Sequence, residues 1–248
     1  MIGCKVKRVG LPLAEGKAGW APYPLFSGPT PSLAFMGCHV SVLGPGRCPH
    51  PPHAHVEEEL LIVIDGEANI EIASSPDDPS PRVKTLVPGQ FSYYPAWQHH
   101  TIRNLSARPV TYMMFKWSAG VPGMMGGLRA RTFDYHIHLA TEDTRAFAPV
   151  MVLDNPTGWL KRLHCHVTRL KPGAGYAPHA DNYDVAIVML SGKAETIGHV
   201  LEPCDVVFYG AGELHGMRNT SSETAAYLVF EFEPLRYQSA GSFTASAG

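Results

Sequence analysis

The stretch GCHVSVLGPG at 37–46 returns as HCHVTRLKPG at 164–173, and this repetition constrains the fold more than any other feature of the chain. Cys38, His39, Val40, Leu43, Pro45 and Gly46 all recur, each 127 positions on (39 to 166, for example). Further along, His53 meets His179 and Gly66 meets Gly192 at an offset of 126; later His100 meets His215 and Asn104 meets Asn219 at 115. Order is kept while spacing shrinks, as when loops shorten inside a duplicated unit. The turn-rich run SSPDDPSP at 74–81 is the expected site of most of the missing residues. The chain of 248 residues therefore divides into a first unit over 1–117, a linker over 118–155 and a second unit over 156–248.

Each unit reads as all-β. Runs at 60–64, 110–115, 185–190 and 226–232 are apolar or aromatic and of strand length. The first continues past Asp65-Gly66 into an alternating stretch at 68–72, which predicts a hairpin. Helical periodicity is nearly absent; the best stretch, 141–147, is short. With 24 Gly and 22 Pro the chain holds about 19% of these residues against an average of about 12%, which suits many turns between short strands. Lys plus Arg number 20 and Asp plus Glu 22, with no basic run, so nucleic acid and anionic membranes are not expected partners. No apolar run reaches the ~18 residues of a membrane helix, and no segment reads as a signal peptide. Five cysteines without CxxC spacing predict free thiols and a cytoplasmic protein.

The 13 histidines carry the chemistry. His53, His55 and Glu59 share parity, so on an extended strand their side chains project from one face. His100, from a neighbouring strand, would be a fourth donor. Three imidazoles and a carboxylate suit one divalent transition metal: Fe, Mn, Ni, Cu or Zn. Around a six-coordinate ion they leave two positions open; around tetrahedral zinc they close it. Glu57 and Glu58 are alternatives to Glu59, disfavoured by the six-residue gap to Gly66 and, for Glu58, by parity. His136, His138 and Glu142 repeat the HxH-x3-E spacing without a following strand, and are read as a decoy. His39 and His166 are expected in structural hydrogen bonds, His50 in a loop, and His99 on the opposite strand face from His100. Tyr94, Trp97, Arg103, Tyr112, Met114, Phe115, Lys116 and Trp117 form either packing or an aromatic-lined pocket with one cationic group.

These residues resemble the cupin superfamily. Its first motif, a glycine, HxH, a glutamate and a glycine, is met by Gly46, His53, His55, Glu59 and Gly66. Its second is met by Gly89, Pro95, His100 and Asn104, with Trp97 where the family has glycine. The resemblance implies two jelly-roll barrels, a bicupin, with metal in the first on His53, His55, Glu59 and His100. The second barrel keeps Gly173, His179, Gly192, Gly212, His215 and Asn219, but Asp181 replaces a histidine, Val185 the glutamate, Cys204 a glycine and Gly210 the proline. His179, Asp181 and His215 remain as a weak three-ligand set, with Asp184 one residue out of register. The expectation is a second barrel without metal, serving packing, dimer-like pairing of the barrels or a lid.

Among bicupin enzymes, the resemblance points to a dioxygenase-type oxidoreductase acting on a small organic molecule, with Glu59 also as proton acceptor. Alternatives are a lyase, isomerase or decarboxylase at the same site, or a non-catalytic ligand-binding bicupin. Val185 argues against an oxalate decarboxylase with two complete sites, and Leu61 against dimethylsulfoniopropionate lyases, which carry tyrosine there. Homo-oligomers are compatible with the sequence.

Overall fold

The structure, a computed structural model, describes residues 1–9, 19–120, 127–140 and 143–235. Its strands in the first half are β1 (Lys5–Lys7), β2 (Trp20–Gly28), β3 (Phe35–Leu43), β4 (Glu58–Asp65), β5 (Ala68–Ala73), β6 (Arg82–Leu86), β7 (Gln90–Tyr94), β8 (His99–Arg103), β9 (Val110–Ser118) and β10 (Arg131–Asp134). After the short helix α1 (His136–Ala140) come β11 (Phe147–Asn155), β12 (Leu160–Leu170), β13 (Gly175–His179), β14 (Asp184–Ser191), β15 (Ala194–Thr196), β16 (His199–Leu201), β17 (Val206–Tyr209), β18 (His215–Arg218) and β19 (Ala225–Pro234).

Two barrels of the jelly-roll type result. In the first, the sheet β10-β7-β4-β9-β3-β2 faces β6-β5-β8; in the second, β1-β17-β14-β19-β12-β11 faces β13-β18-β15-β16. Strand parity sorts the side chains. On β9, Tyr112 and Met114 belong to the interior of the first barrel, while Met113, Phe115 and Trp117 join a core with Phe208, Phe230 and Phe232 between the two six-stranded sheets. Tyr112 and Met114 thus face the pocket while Phe115 and Trp117 pack between the sheets, by alternation, whereas Trp97 is exposed and does neither.

The predicted hairpin at 60–72 does not form. β4 pairs with β7 and β9, whereas β5 pairs with β6 and β8, so the turn at Gly66 carries the chain from one sheet to the facing one. Gly66 has φ +82°, and a Cβ there would lie 2.6 Å from the Pro109 carbonyl oxygen, so only glycine turns this corner. Nearly all the shrinkage of the repeat has one source. Residues 68–86, holding β5, the 74–81 loop and β6, number 19 where the second barrel uses 8 (194–201), a difference of 11 that equals the fall in offset from 126 to 115.

The expected edge at 117 falls one residue before the end of β9, and that at 156 directly follows β11. β1 belongs to the sheet of the second barrel through β17, β10 returns to the first through β7, and β11 is an edge strand of the second through β12. The helix lies at 136–140, ahead of the predicted 141–147; residues 141–142 fall outside the described ones, and Phe147 already opens β11.

Candidate metal centre

His53 and His100 are backbone neighbours across a bridge that joins the loop before β4 to β8, each amide donating to the other's carbonyl at 3.1 and 3.0 Å. His55 follows two residues later and Glu59 opens the interior face of β4. The turn at 95–98 holds this arrangement, with the Trp97 amide donating to the His55 carbonyl at 2.8 Å. Trp97 takes the glycine position in left-handed backbone, φ +63°, a strain of about 1–2 kcal/mol. In the second barrel the strain has moved: Gly212 holds the equivalent place and Cys204, at φ +72°, replaces the other glycine.

All three ring orientations are set by backbone. The Nδ1 atoms of His53, His55 and His100 lie 3.2, 2.9 and 2.7 Å from the carbonyls of His100, Glu57 and Gln98. A carbonyl only accepts, so each Nδ1 carries the proton and each Nε2 keeps its lone pair. The three rings offer ligand atoms within 4.8 Å of one another. Glu59, fully buried, adds its carboxylate at 3.3 Å from His55 Nε2 and 3.5 Å from His100 Nε2. Both Glu59 oxygens and His100 Nε2 are buried without a hydrogen bond. Orphaned acceptors and lone pairs converging in one cavity are what a cation would satisfy, so this donor set fits a divalent transition metal.

Electrostatics keep His53 and Glu59 in ligating form. Burial, reinforced by His50, His100 and His55, lowers His53 to about 4. Burial would push Glu59 up, but His100, His55 and Lys116 outweigh it and hold the carboxyl well below the usual range. Burial opposes protonation of His100, but the charge of Glu59 raises it, so at this donor a metal would compete with a proton. Tyr94 stacks on His100 with ring centres 4.3 Å apart, fixing its plane.

Glu58 is excluded as a ligand, since it points into the boundary between barrels and is occupied there by five donors: Tyr93, Trp117, Thr157, Gly158 and Trp159. Glu57 lies on the rim beside His55 Nδ1, at 3.4 Å. His136 and His138 sit on α1, where residues two apart point in different directions, so the decoy spacing makes no pair of ligands; Glu142 lies outside the described residues. Asn104 is structural, bonding the carbonyls of Leu43 and Arg108, just as Asn219 bonds those of Leu170 and Glu223.

Two contributors exceed the motif. Lys116, paired with Glu59 in the β4–β9 register, places Nζ 3.1 Å from both Glu59 Oε2 and His55 Nε2. His39, expected in a hydrogen bond, instead has a buried Nε2 with none and lines the cavity. His50 also lines it, its ring centre 3.9 Å from that of His53. The cavity holds about 80 Å³, and Leu61, Ile102 and Met114 supply an apolar wall.

In the second barrel His179, Asp181 and His215 do come together, with Asp181 3.6 and 3.4 Å from the two Nε2 atoms. His215 is stacked on Tyr209 as His100 is on Tyr94. Asp184 is turned away to the barrel boundary, where it accepts from Thr30 and the Ala211 amide.

Residues 39–116 match the family model of the cupin domain, which covers the first barrel from β3 to β9 and leaves the second unmatched. No curated protein matches the chain in sequence. Solved structures with the same fold include a cupin 2 conserved barrel domain protein from Leptotrichia buccalis (TM-score 0.62, 12% identity, 89% of this chain and 92% of that one). A deletion mutant of Bacillus subtilis oxalate decarboxylase OxdC gives 0.61 at 15% identity, over 89% and 74%. AerE from Microcystis aeruginosa gives 0.60 at 15%, over 85% and 96%. At these identities the likeness is one of fold. Among the described residues no helix is long and apolar enough to cross a membrane.

Proposed function

We propose that the chain is a metal-dependent bicupin enzyme whose first barrel holds one divalent transition metal on His53, His55, Glu59 and His100, and that it acts as a dioxygenase-type oxidoreductase on a small organic substrate. The observation that carries this reading is the buried Glu59 carboxylate 3.3 Å from His55 Nε2 and 3.5 Å from His100 Nε2, with His53 offering a ligand atom within 4.8 Å of the other two rings. A metal held there supplies Lewis acidity and a template for a chelating substrate.

The surrounding side chains decide what can enter. About 80 Å³ is far below the roughly 300 Å³ at which drug-sized ligand pockets begin, so the substrate is small. The apolar wall keeps water away from the donors. Lys116 is the cation facing the cavity and pairs with an anionic oxygen of the substrate, leaving Glu59 as it does so. Glu59 is a weak base while Lys116 and His100 hold its charge; withdrawal of Lys116 raises its proton affinity and makes it the acceptor. Tyr112, hydrogen-bonded from Trp20 at 3.0 Å, closes the opposite side.

The small cavity with its ammonium group also favours a second reading: non-oxidative cleavage of a small carboxylate, as a decarboxylase or lyase. One experiment separates the two. The purified protein is assayed for metal by mass spectrometry, then for oxygen uptake with catechols, enediols and diketones and for CO₂ release with small hydroxy and keto acids. Iron or copper with substrate-dependent oxygen loss supports the dioxygenase. CO₂ release without oxygen uptake moves the assignment to the lyase. A folded, metal-free protein inert to every substrate sinks both.

A further inference from the structure

One row of paired residues crosses the wall of the first barrel: Ser27, Gly37, Lys116, Glu59 and Tyr94. The same row in the second barrel is Asp154, His164, Glu231, Val185 and Tyr209. The carboxylate missing at Val185 reappears one strand over, at the position where the first barrel has Lys116. Opposite the glycine stands a histidine. His166, two residues along β12, shares the interior face with His164.

We propose that His164, His166 and Glu231 form a second divalent-metal site, on the β12–β19 wall of the second barrel and separate from His179, Asp181 and His215. The reading is independent of the metal in the first barrel. Two imidazoles and a carboxylate form a donor set for Fe, Co, Ni, Cu or Zn. Their ligand atoms lie within 4.8 Å of one another. His164 Nε2 and His166 Nδ1 are 3.2 Å apart and share a hydrogen bond whose proton a bound ion would displace. Two nitrogens each about 2.0–2.1 Å from one tetrahedral ion are roughly 3.3 Å apart, so the pair is already spaced for ligation.

The supporting contacts are those that orient metal ligands. The other ring nitrogen of His164 makes no hydrogen bond but faces Asp154 Oδ1 at 3.4 Å. Arg162 holds Glu231 through Oε2 at 2.8 Å and Asp154 through Oδ1 at 2.7 Å, leaving Glu231 Oε1 outside that bond. Two carboxylates against one guanidinium leave the cluster net negative, which favours a cation. His166 and Glu231 line, together with His179, Asp181 and His215, a cavity of about 290 Å³, so water or an oxygen ligand has room to complete the coordination.

The test uses the full-length chain carrying His100→Ala, which impairs the first site, titrated with Co²⁺ by calorimetry and by its visible absorption. This protein is expected to bind one equivalent. Glu231→Gln and His166→Ala, added separately, should each weaken binding at least about tenfold, whereas His179→Ala should leave it unchanged. Glu231→Gln keeps the shape of the side chain, so a folded variant is at hand, checked by circular dichroism, even if His166→Ala fails to fold. Absence of Co²⁺ binding by the His100→Ala protein overturns the proposal. So does weakening by His179→Ala, whether alone, which places the ion on the other set, or together with Glu231→Gln, which means one ion is shared.

Discussion

Thr157 stands to Glu58 as Thr30 stands to Asp184. The Thr157 hydroxyl, beside β12, donates to Glu58 Oε2 of the first barrel at 2.6 Å, and Thr30, from the first barrel, donates to Asp184 of the second. In both loops the same threonine oxygen also accepts an amide three residues on, from Leu160 and from Leu33. The duplicated unit thus carries its own half of a clasp, and the barrels are locked by two reciprocal copies. Glu58→Ala should strip five buried donors of their acceptor and cost about 3 kcal/mol or more in denaturant unfolding. An effect under about 0.5 kcal/mol would show that the clasp does not hold the barrels.

His100→Ala should lose one equivalent of bound metal, because His100 links β8 to both His53 and Glu59. His138→Ala, on α1, should lose none. Elemental analysis of both variants after dialysis decides the assignment; loss in the His138 variant would reverse it.

Lys116→Met removes a cation that sits 3.1 Å from a ligand oxygen. Metal affinity should rise at least about tenfold, since like charges at such range repel by more than 1.4 kcal/mol in a partly buried site. Turnover should fall in the same variant, because the anchor for an anionic substrate is gone. Unchanged affinity would show that Lys116 swings clear before metal enters.

The cysteines give a pH prediction. All five are free. Burial, then the charge of Glu213, raises Cys4 to about 11, and burial, then Asp205, does the same for Cys204. The thiolate is the reactive form, so alkylation of these two, followed by mass spectrometry, should be slow at pH 7 and still be climbing about tenfold per unit near pH 10. A plateau near pH 8 would contradict the raised values.

Much of the centre was legible in sequence through the spacing of His53, His55 and Glu59 and the repeat of His100 in His215, although one strand does not unite them: Glu59 is on β4, while His53 and His55 lie in the loop before it and His53 is held by its bridge to His100. Lys116 and His39 were not legible as neighbours of Glu59, because they arrive through the register of β3 and β9 against β4, which depends on pairing across more than fifty residues. The corner at Gly66 looked like a hairpin because a turn between facing sheets uses the same Asp-Gly chemistry as a turn within one sheet. β1 gave no signal at all: Lys5, Val6 and Lys7 are too few to show a period, and only the edge of β17 gives them a structure.

That short strand sets the order in which the molecule can be completed. The Cys4 amide bonds Glu213 and the Val9 amide bonds Asp205, separations of 209 and 196 residues. A ribosome releases β1 long before it makes β17, so this strand must wait for its ladder partner until β17 has been synthesised. The first barrel can assemble its histidines meanwhile, but the final closure joins β1 to β17. Proteolytic loss of a few N-terminal residues would then leave the centre in place while baring the edge of β17 to other chains.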